Sequence, residues 1–237
     1  MVFMSRIVTA LLLFGISFGY LEAAVVVYLR AIYDPIRQRI HPERKPNDLF
    51  PLITQEQLLA AGPENERRLI IELGREVATI AMLAGFGLVM GRNFHERMAA
   101  FAIAFGLWDI SFYVFLKMMI HWPESLNTWD ILFLIPLPWI GPVLAPVLVS
   151  AALIACGLIS LSRGGIPARL WHWLVMIAGG LLVILSFVWD FRNTMAGGLP
   201  NPFNWPLFLV GEALGVIGFL AALRNPGSPE SRTLRGS

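Results

Sequence analysis

Charged residues are scarce in this sequence. Asp, Glu, Lys and Arg make up 14% of the 237 residues, whereas hydrophobic residues make up 57% and the mean hydropathy is +0.67. Soluble domains usually carry about 25% charged residues. The composition therefore predicts an integral membrane protein with membrane lipid as a partner. The formal net charge of +2 is spread without a basic stripe, so no nucleic-acid partner is expected.

Cysteine and histidine are also scarce. The one cysteine, Cys156, excludes an intramolecular disulfide and any cysteine-based zinc or iron–sulfur site. No two of the four histidines share an apolar segment at ligand spacing, so neither haem nor an iron–sulfur cluster is expected. No HExxH, P-loop or Cys-x-x-Cys motif is present. These absences argue against the familiar classes of metal enzyme and nucleotide-binding enzyme. The catalytic residues, if there are any, are not identified by the sequence.

Six apolar stretches are long enough to cross a bilayer, which needs about 20 mainly apolar residues. They cover residues 6–30, 66–91, 98–120, 142–161, 169–190 and 204–223. We therefore predict an all-α polytopic bundle of about six transmembrane helices, with one domain over 1–225 and a flexible polar tail at 226–237. The first stretch resembles a signal peptide, but it continues through Glu22 without a small-residue cleavage site, so a retained helix is expected.

Two segments depart from this regular pattern. Residues 31–65 are polar and predict an extramembrane loop, with a short surface helix at 55–61 because Thr54 and Gln57 have capping-box spacing. The segment 131–146 is broken by Pro136, Pro138, Pro142 and Pro146. We predict irregular backbone at 131–141 and a helix from 142. The irregular part is either buried in protein at membrane depth or an interfacial loop.

Six crossings place both termini on one side of the membrane, called side A here, and residues 31–65 on the other, called side B. The short side-A loops carry Arg92, Arg97, Arg163 and Arg169. The positive-inside rule therefore predicts cytoplasmic termini, in a bacterial inner membrane. The arginines within 31–65 oppose this orientation.

Acidic residues concentrate at one depth. Seven of the 16 acids lie in or border the side-B half of the spans: Glu22, Glu72, Glu76, Asp109, Asp130, Asp190 and Glu212. At 1.5 Å per helical residue, Glu22, Glu76 and Glu212 lie roughly 12 Å below side B, and Asp109 roughly 16 Å. Ionisable groups are costly there and usually face a bundle interior or a watery cavity. We therefore predict one shared polar site.

The predicted ligand-binding residues are Glu22, Glu72, Arg75, Glu76, Asp109, Tyr113, Lys117 and Glu212. Arg75 is expected to contact a carboxylate from another helix, and Lys117 is the candidate counter-ion of Asp109. These two cations leave a surplus of carboxylates, which protons or a bound cation must neutralise. Oxygen ligands suit a hard divalent cation, with Glu22, Glu72, Glu76 and Asp109 as metal ligands. Protons or an organic ammonium group suit the set equally well.

Three aspartates directly follow tryptophan, in Trp108-Asp109, Trp129-Asp130 and Trp189-Asp190. For Asp130 and Asp190 we predict an interfacial tryptophan belt with a helix-end carboxylate. Asp109 lies too deep for that interpretation. We predict that its carboxylate belongs to an ion pair or has a functional role.

Three functional hypotheses follow. The first is a small transporter or binding protein that handles a cation or protons. The second is an accessory subunit of a larger complex, whose partners are other membrane subunits and whose polar groups serve packing or contact a quinone, pigment or lipid. The third is a membrane-embedded acid/base or metal-dependent enzyme. The sequence does not name a substrate.

Overall fold

The computed structural model describes residues 2–45 and 48–224, with side chains described from residue 6 onward. Its elements, in chain order, are α1 (Val2–Ile40), α2 (Gln55–Ala60), α3 (Glu64–Met90), α4 (Phe94–Ile120), β1 (Trp129–Phe133), β2 (Trp139–Pro142), α5 (Leu144–Ser162), α6 (Leu170–Val188), α7 (Phe191–Met195) and α8 (Trp205–Arg224). Within these residues six helical spans are long and apolar enough to cross a membrane. The predicted all-α six-helix architecture is confirmed, and the predicted tail at 226–237 lies outside the described residues.

Helix α4 is the centre of the larger part of the bundle. It packs against α1, α3 and α5, while α6 and α8 form a second pair. The pair joins the rest through contacts of α8 with α5 and of α6 with β2. A core of Leu11, Leu83, Ile103 and Trp108 fills the space between α1, α3 and α4. The two helical groups therefore meet along α5 and the strands.

Glycines bring α1 directly against α4. A Cβ at Gly19 would lie 2.6 Å from the Ser111 Cβ and 2.8 Å from the Trp108 carbonyl oxygen. The stretch from Gly15 to Gly19 formally matches the GxSxG pattern of serine hydrolases. However, Ser17 is exposed in the middle of a helix rather than at a strand-to-helix turn. The pattern here serves helix packing.

The α6–α8 pair is also a glycine contact. A Cβ at Gly179 would lie 2.6 Å from both the Gly211 carbonyl oxygen and the Gly215 nitrogen, which are backbone atoms. A Cβ at the adjacent Gly180 would meet nothing within 4 Å. The two neighbouring positions therefore form a matched pair for mutagenesis.

We predict that Gly179→Ala lowers the free energy of unfolding by about 1–3 kcal/mol, because the new methyl group forces two backbones apart. Gly180→Ala is expected to be neutral or slightly stabilising, since alanine favours a helix. Denaturant unfolding of the purified variants measures both. Equal losses for the two variants would show that the Gly179 contact does not limit stability.

Helix α1 continues well beyond residue 30, where its end was predicted. Pro35 lies inside the helix and removes one backbone donor. Asp34 and Arg37 form an ion pair on this extension, and Arg37 and Arg39 lie in the last turn, where cations favour the helix C-terminus. The predicted surface helix is confirmed as α2, with the Thr54–Gln57 capping box present.

The irregular backbone predicted at 131–141 is an antiparallel hairpin instead, and only its connection at 134–138 is irregular. Strands β1 and β2 pair with Asp130 opposite Gly141 and Ile131 opposite Ile140, and the register shifts between Ile131 and Phe133. Prolines 136 and 138 lie in the connection, where the ladder needs no donor from them. Ile140 is buried, and a Cβ at Gly141 would lie 2.9 Å from the Phe187 ring. The hairpin is therefore packed within protein.

Candidate functional site

Two polar clusters occupy the region predicted for the site. The first is called the Arg75 cluster and consists of Glu22, Glu72, Arg75, Glu76 and Thr79. Arg75 donates through Nη1 to Glu22 on α1 and through Nε to both carboxylate oxygens of Glu72 at 3.0 Å. The prediction that Arg75 contacts a carboxylate from another helix is confirmed. The guanidinium thus joins α1 to α3 and neutralises one of the carboxylates.

Glu76 faces the hairpin rather than a second cation. It is 5% exposed, and both of its carboxylate oxygens accept from the Leu134 backbone N–H, at 3.1 and 2.9 Å. Leu134 directly follows β1, beyond the shift in register, where its N–H is available to a side chain. Glu76 therefore attaches the end of β1 to α3.

The second group is called the Arg30 cluster and consists of Arg30, Asp109, Tyr113, Asp130 and Ser150. Ser150 on α5 donates its hydroxyl to Asp109 at 2.8 Å, and Tyr113 on α4 donates its hydroxyl to Asp130 at 2.9 Å. Asp109 and Tyr113 lie on one face of α4, because they are four residues apart. All five side chains are buried. The cluster joins α4 to α5 and to β1.

Arg30 brings a buried positive charge to this cluster. It is 8% exposed, and its guanidinium carbon lies 3.9 Å from the centre of the Trp122 ring, a cation–π contact. Its Nη1 has no hydrogen-bond partner within the described part of the chain. Burial raises the pKa of the Asp130 carboxyl to about 6, and Arg30 and the Tyr113 hydroxyl oppose part of that rise. Arg30 and Asp130 are functional candidates that the predicted ligand-binding set did not include.

The prediction for Asp130 was wrong in its details. It is not a helix-end carboxylate but lies in β1 and is 5% exposed. The physical reason is the hairpin, which places Asp130 against α4, where it accepts from the Tyr113 hydroxyl. Asp190 matches the expectation better: it follows α6 and accepts from the Asn201 N–H at 2.8 Å and from the Asn193 amide at 3.0 Å.

The predicted single site is divided in two. Glu22, Glu72, Arg75 and Glu76 come together, but Asp109 belongs with Ser150, Tyr113 and Asp130. Strand β1 connects the clusters, because Asp130 lies in one and Leu134 contacts the other.

Lys117 and Glu212 lie apart from both clusters. Lys117 donates to the Pro123 carbonyl oxygen at 2.8 Å and to the His121 carbonyl oxygen at 3.4 Å, so the predicted pairing with Asp109 was wrong. The long side chain reaches the loop after α4 instead of turning back along the helix. Glu212 is half-buried on α8, within electrostatic range of the Cys156 thiol.

The residues present do not converge as metal ligands in the part of the chain that the structure describes. No three His, Cys, Asp or Glu side chains there are grouped to hold a metal ion. Glu22 and Glu72 face Arg75, Glu76 faces a backbone N–H, and Asp109 faces a serine hydroxyl. The metal site over Glu22, Glu72, Glu76 and Asp109 stays a prediction.

Comparisons of the chain with protein-family models, with curated proteins and with solved structures found no match. The function is therefore argued from the two clusters themselves.

Proposed function

We propose that this integral membrane protein handles protons through the Arg75 and Arg30 clusters. The observation that carries the proposal is their charge balance. Three carboxylates of the Arg75 cluster accompany one guanidinium, and two aspartates of the Arg30 cluster accompany another. Buried charge without a counter-charge is costly, and a carboxylate in that position gains a proton instead. The surplus carboxylates are the proton carriers.

The hydrogen-bond partners in the Arg30 cluster support protons as the cargo. Ser150 and Tyr113 bear hydroxyl groups, and a hydroxyl can donate one hydrogen bond while it accepts another. Asp109 with Ser150 and Asp130 with Tyr113 therefore form two acid–hydroxyl pairs in a row along α4. Such rows of acids and hydroxyls suit the transfer of protons more than the binding of a metal, which needs several oxygens around one point.

The hairpin gives proton uptake a structural consequence. Protonation of Glu76 changes its bond to the Leu134 N–H, and protonation of Asp130 changes its bond to Tyr113 and its attraction to Arg30. Both contacts hold β1, one at each end. In this proposal, proton uptake at side B changes the position of the hairpin. A small transporter requires such a coupling between proton binding and conformation.

A second candidate is an accessory subunit whose polar groups only fix the helices. One observation favours it: each carboxylate contact in the clusters, except that of Glu72, joins two different elements. In that case the carboxylates are needed for stability, and no protons move through the isolated chain.

A proton-flux assay separates the two candidates. The purified chain is placed in liposomes that contain a pH-sensitive dye, and the internal pH is followed after an external pH jump. We expect wild type to conduct protons faster than empty liposomes and Glu76→Gln to lower the rate roughly tenfold or more, because a glutamine cannot carry the proton. The control is Glu66→Gln, an exposed acid on the same helix, which is expected to conduct as wild type does.

Flux equal to that of empty liposomes would sink the proton proposal and favour the accessory subunit. A folded Glu76→Gln variant that conducts protons at the wild-type rate would show that Glu76 is not part of the proton pathway. The same preparation tests cations, since melting curves in Ca²⁺, Mg²⁺ and Mn²⁺ report binding by mass action.

A further inference from the structure

A half-open depression lies where α1 ends, beyond both clusters. Its lining consists of Asp34, Arg37, Gln38, His41, Arg44, Lys45 and Asp48, and it is open to solvent on one side. Three of these side chains are cations, two are anions, and one is a histidine. The lining is therefore rich in hydrogen-bond donors.

Three basic groups of the lining each have an acidic side chain near one edge. Asp34 pairs with Arg37 Nη1, and the Asp48 carboxylate lies 3.8 Å from Arg44 Nη1. The Glu43 carboxylate lies 3.6 Å from His41 Nδ1. Only the Asp34–Arg37 contact is a hydrogen bond, and each acidic side chain lies near a single edge of its basic partner.

The other edges carry nitrogen atoms that have no acceptor. Arg37 Nε, His41 Nε2 and Arg44 Nε are buried without a hydrogen-bond partner in the described residues. The Glu43 carboxylate is 3.9 Å from Arg44 Nε, which is too far for a hydrogen bond. Buried donors are normally paired. The Nε–H donors of Arg37 and Arg44, beside the His41 imidazole, point to a ligand with several acceptor oxygens.

We propose that this depression binds a phosphate group. A phosphate offers several acceptor oxygens and a negative charge, and arginine matches its geometry. The apolar part of α1 ends near Arg30, so Asp34 and Arg37 lie roughly 6 and 10 Å further along the helix axis. That distance reaches the polar headgroup layer of a bilayer. The phosphate is supplied either by a phospholipid headgroup or by a soluble phosphate compound, which share the recognising chemistry.

Two binding measurements on the full chain, purified in a phosphate-free detergent, distinguish these sources. Calorimetry with inorganic phosphate reports the soluble group, and native mass spectrometry with phosphatidylglycerol reports the lipid. A galactolipid without phosphate is the matched lipid control. We expect wild type to bind at least one of the two phosphate probes and to retain little galactolipid.

Variants assign the binding to the depression. Arg44→Gln is expected to weaken binding roughly tenfold, the value of one charge-assisted hydrogen bond. His41→Gln is the second variant if Arg44→Gln does not fold. Arg39→Gln is the matched control, because Arg39 is exposed at the end of α1 and does not line the depression.

Binding of inorganic phosphate would show that the ligand is a soluble phosphate compound. Binding of phosphatidylglycerol alone would show that the ligand is a lipid headgroup. Either result supports the proposal if the variants behave as expected. The proposal is overturned if neither probe binds, if the galactolipid binds equally well, or if Arg39→Gln weakens binding as much as Arg44→Gln.

Discussion

Arg75→Met is expected to lower the free energy of unfolding by about 3–5 kcal/mol, the usual effect of removing one partner from a buried ion pair. Glu22 on α1 and Glu72 on α3 both accept from this guanidinium. Without it, the two carboxylates and nearby Glu76 are left without a cation. Denaturant unfolding in mixed micelles, followed by tryptophan fluorescence, measures the loss.

The matched control is Arg67→Met, an exposed arginine on the same helix. It is expected to change the free energy of unfolding by less than about 0.5 kcal/mol. Adding Glu22→Gln to Arg75→Met should recover part of the loss, because one unpaired carboxylate is removed. Similar losses for Arg75→Met and Arg67→Met would show that the Arg75 cluster does not bind α1 to α3.

The second large effect is on the pH dependence of stability. Burial raises the pKa of Asp130 from 3.8 to about 6 in the folded protein. The folded state therefore binds a proton more tightly than the unfolded state, and this group stabilises the fold most at low pH. Its contribution, up to about 3 kcal/mol, is lost as the pH rises from about 4 to 6.

Asp130→Asn removes the titration while keeping an acceptor for the Tyr113 hydroxyl. Unfolding free energies of wild type and variant, measured across this pH range, should differ increasingly as the pH rises, with the variant the more stable at the upper end. Glu124→Gln, an exposed acid in the segment between α4 and β1, is the control and should follow wild type. Parallel curves for wild type and Asp130→Asn would contradict the burial of this carboxyl.

The helices were predictable because their signal is local. Each apolar stretch and the Thr54–Gln57 cap can be recognised from consecutive residues, and the structure places helices at all of them. The end of α1 was missed because residues 31–65 are polar and predict a loop, whereas the helix continues through Pro35 and gains the Asp34–Arg37 pair. Proline marks a preference, and neighbouring contacts decide the outcome.

The partners within the site were harder to predict. Depth along the helices correctly brought Glu22 to Arg75, since both lie at similar heights on neighbouring spans. Depth alone did not separate Asp109 from Glu76, because it contains no information about rotation around the helix axis or about the hairpin between them. Asp130 was missed for the same reason: its burial depends on the pairing of β1 with β2, a contact between distant residues.

The most direct test of proton handling is infrared difference spectroscopy of the purified chain during a pH titration, with carboxyl groups assigned by variants. The proposal predicts a band of protonated carboxyl groups that is present at pH 6, well above the usual carboxyl pKa, and shrinks as the pH rises further. At pH 6 the band is reduced in Glu76→Gln and Asp130→Asn but unchanged in Glu66→Gln. Complete ionisation of the carboxylates at pH 6, with identical spectra for wild type and both cluster variants, would contradict it.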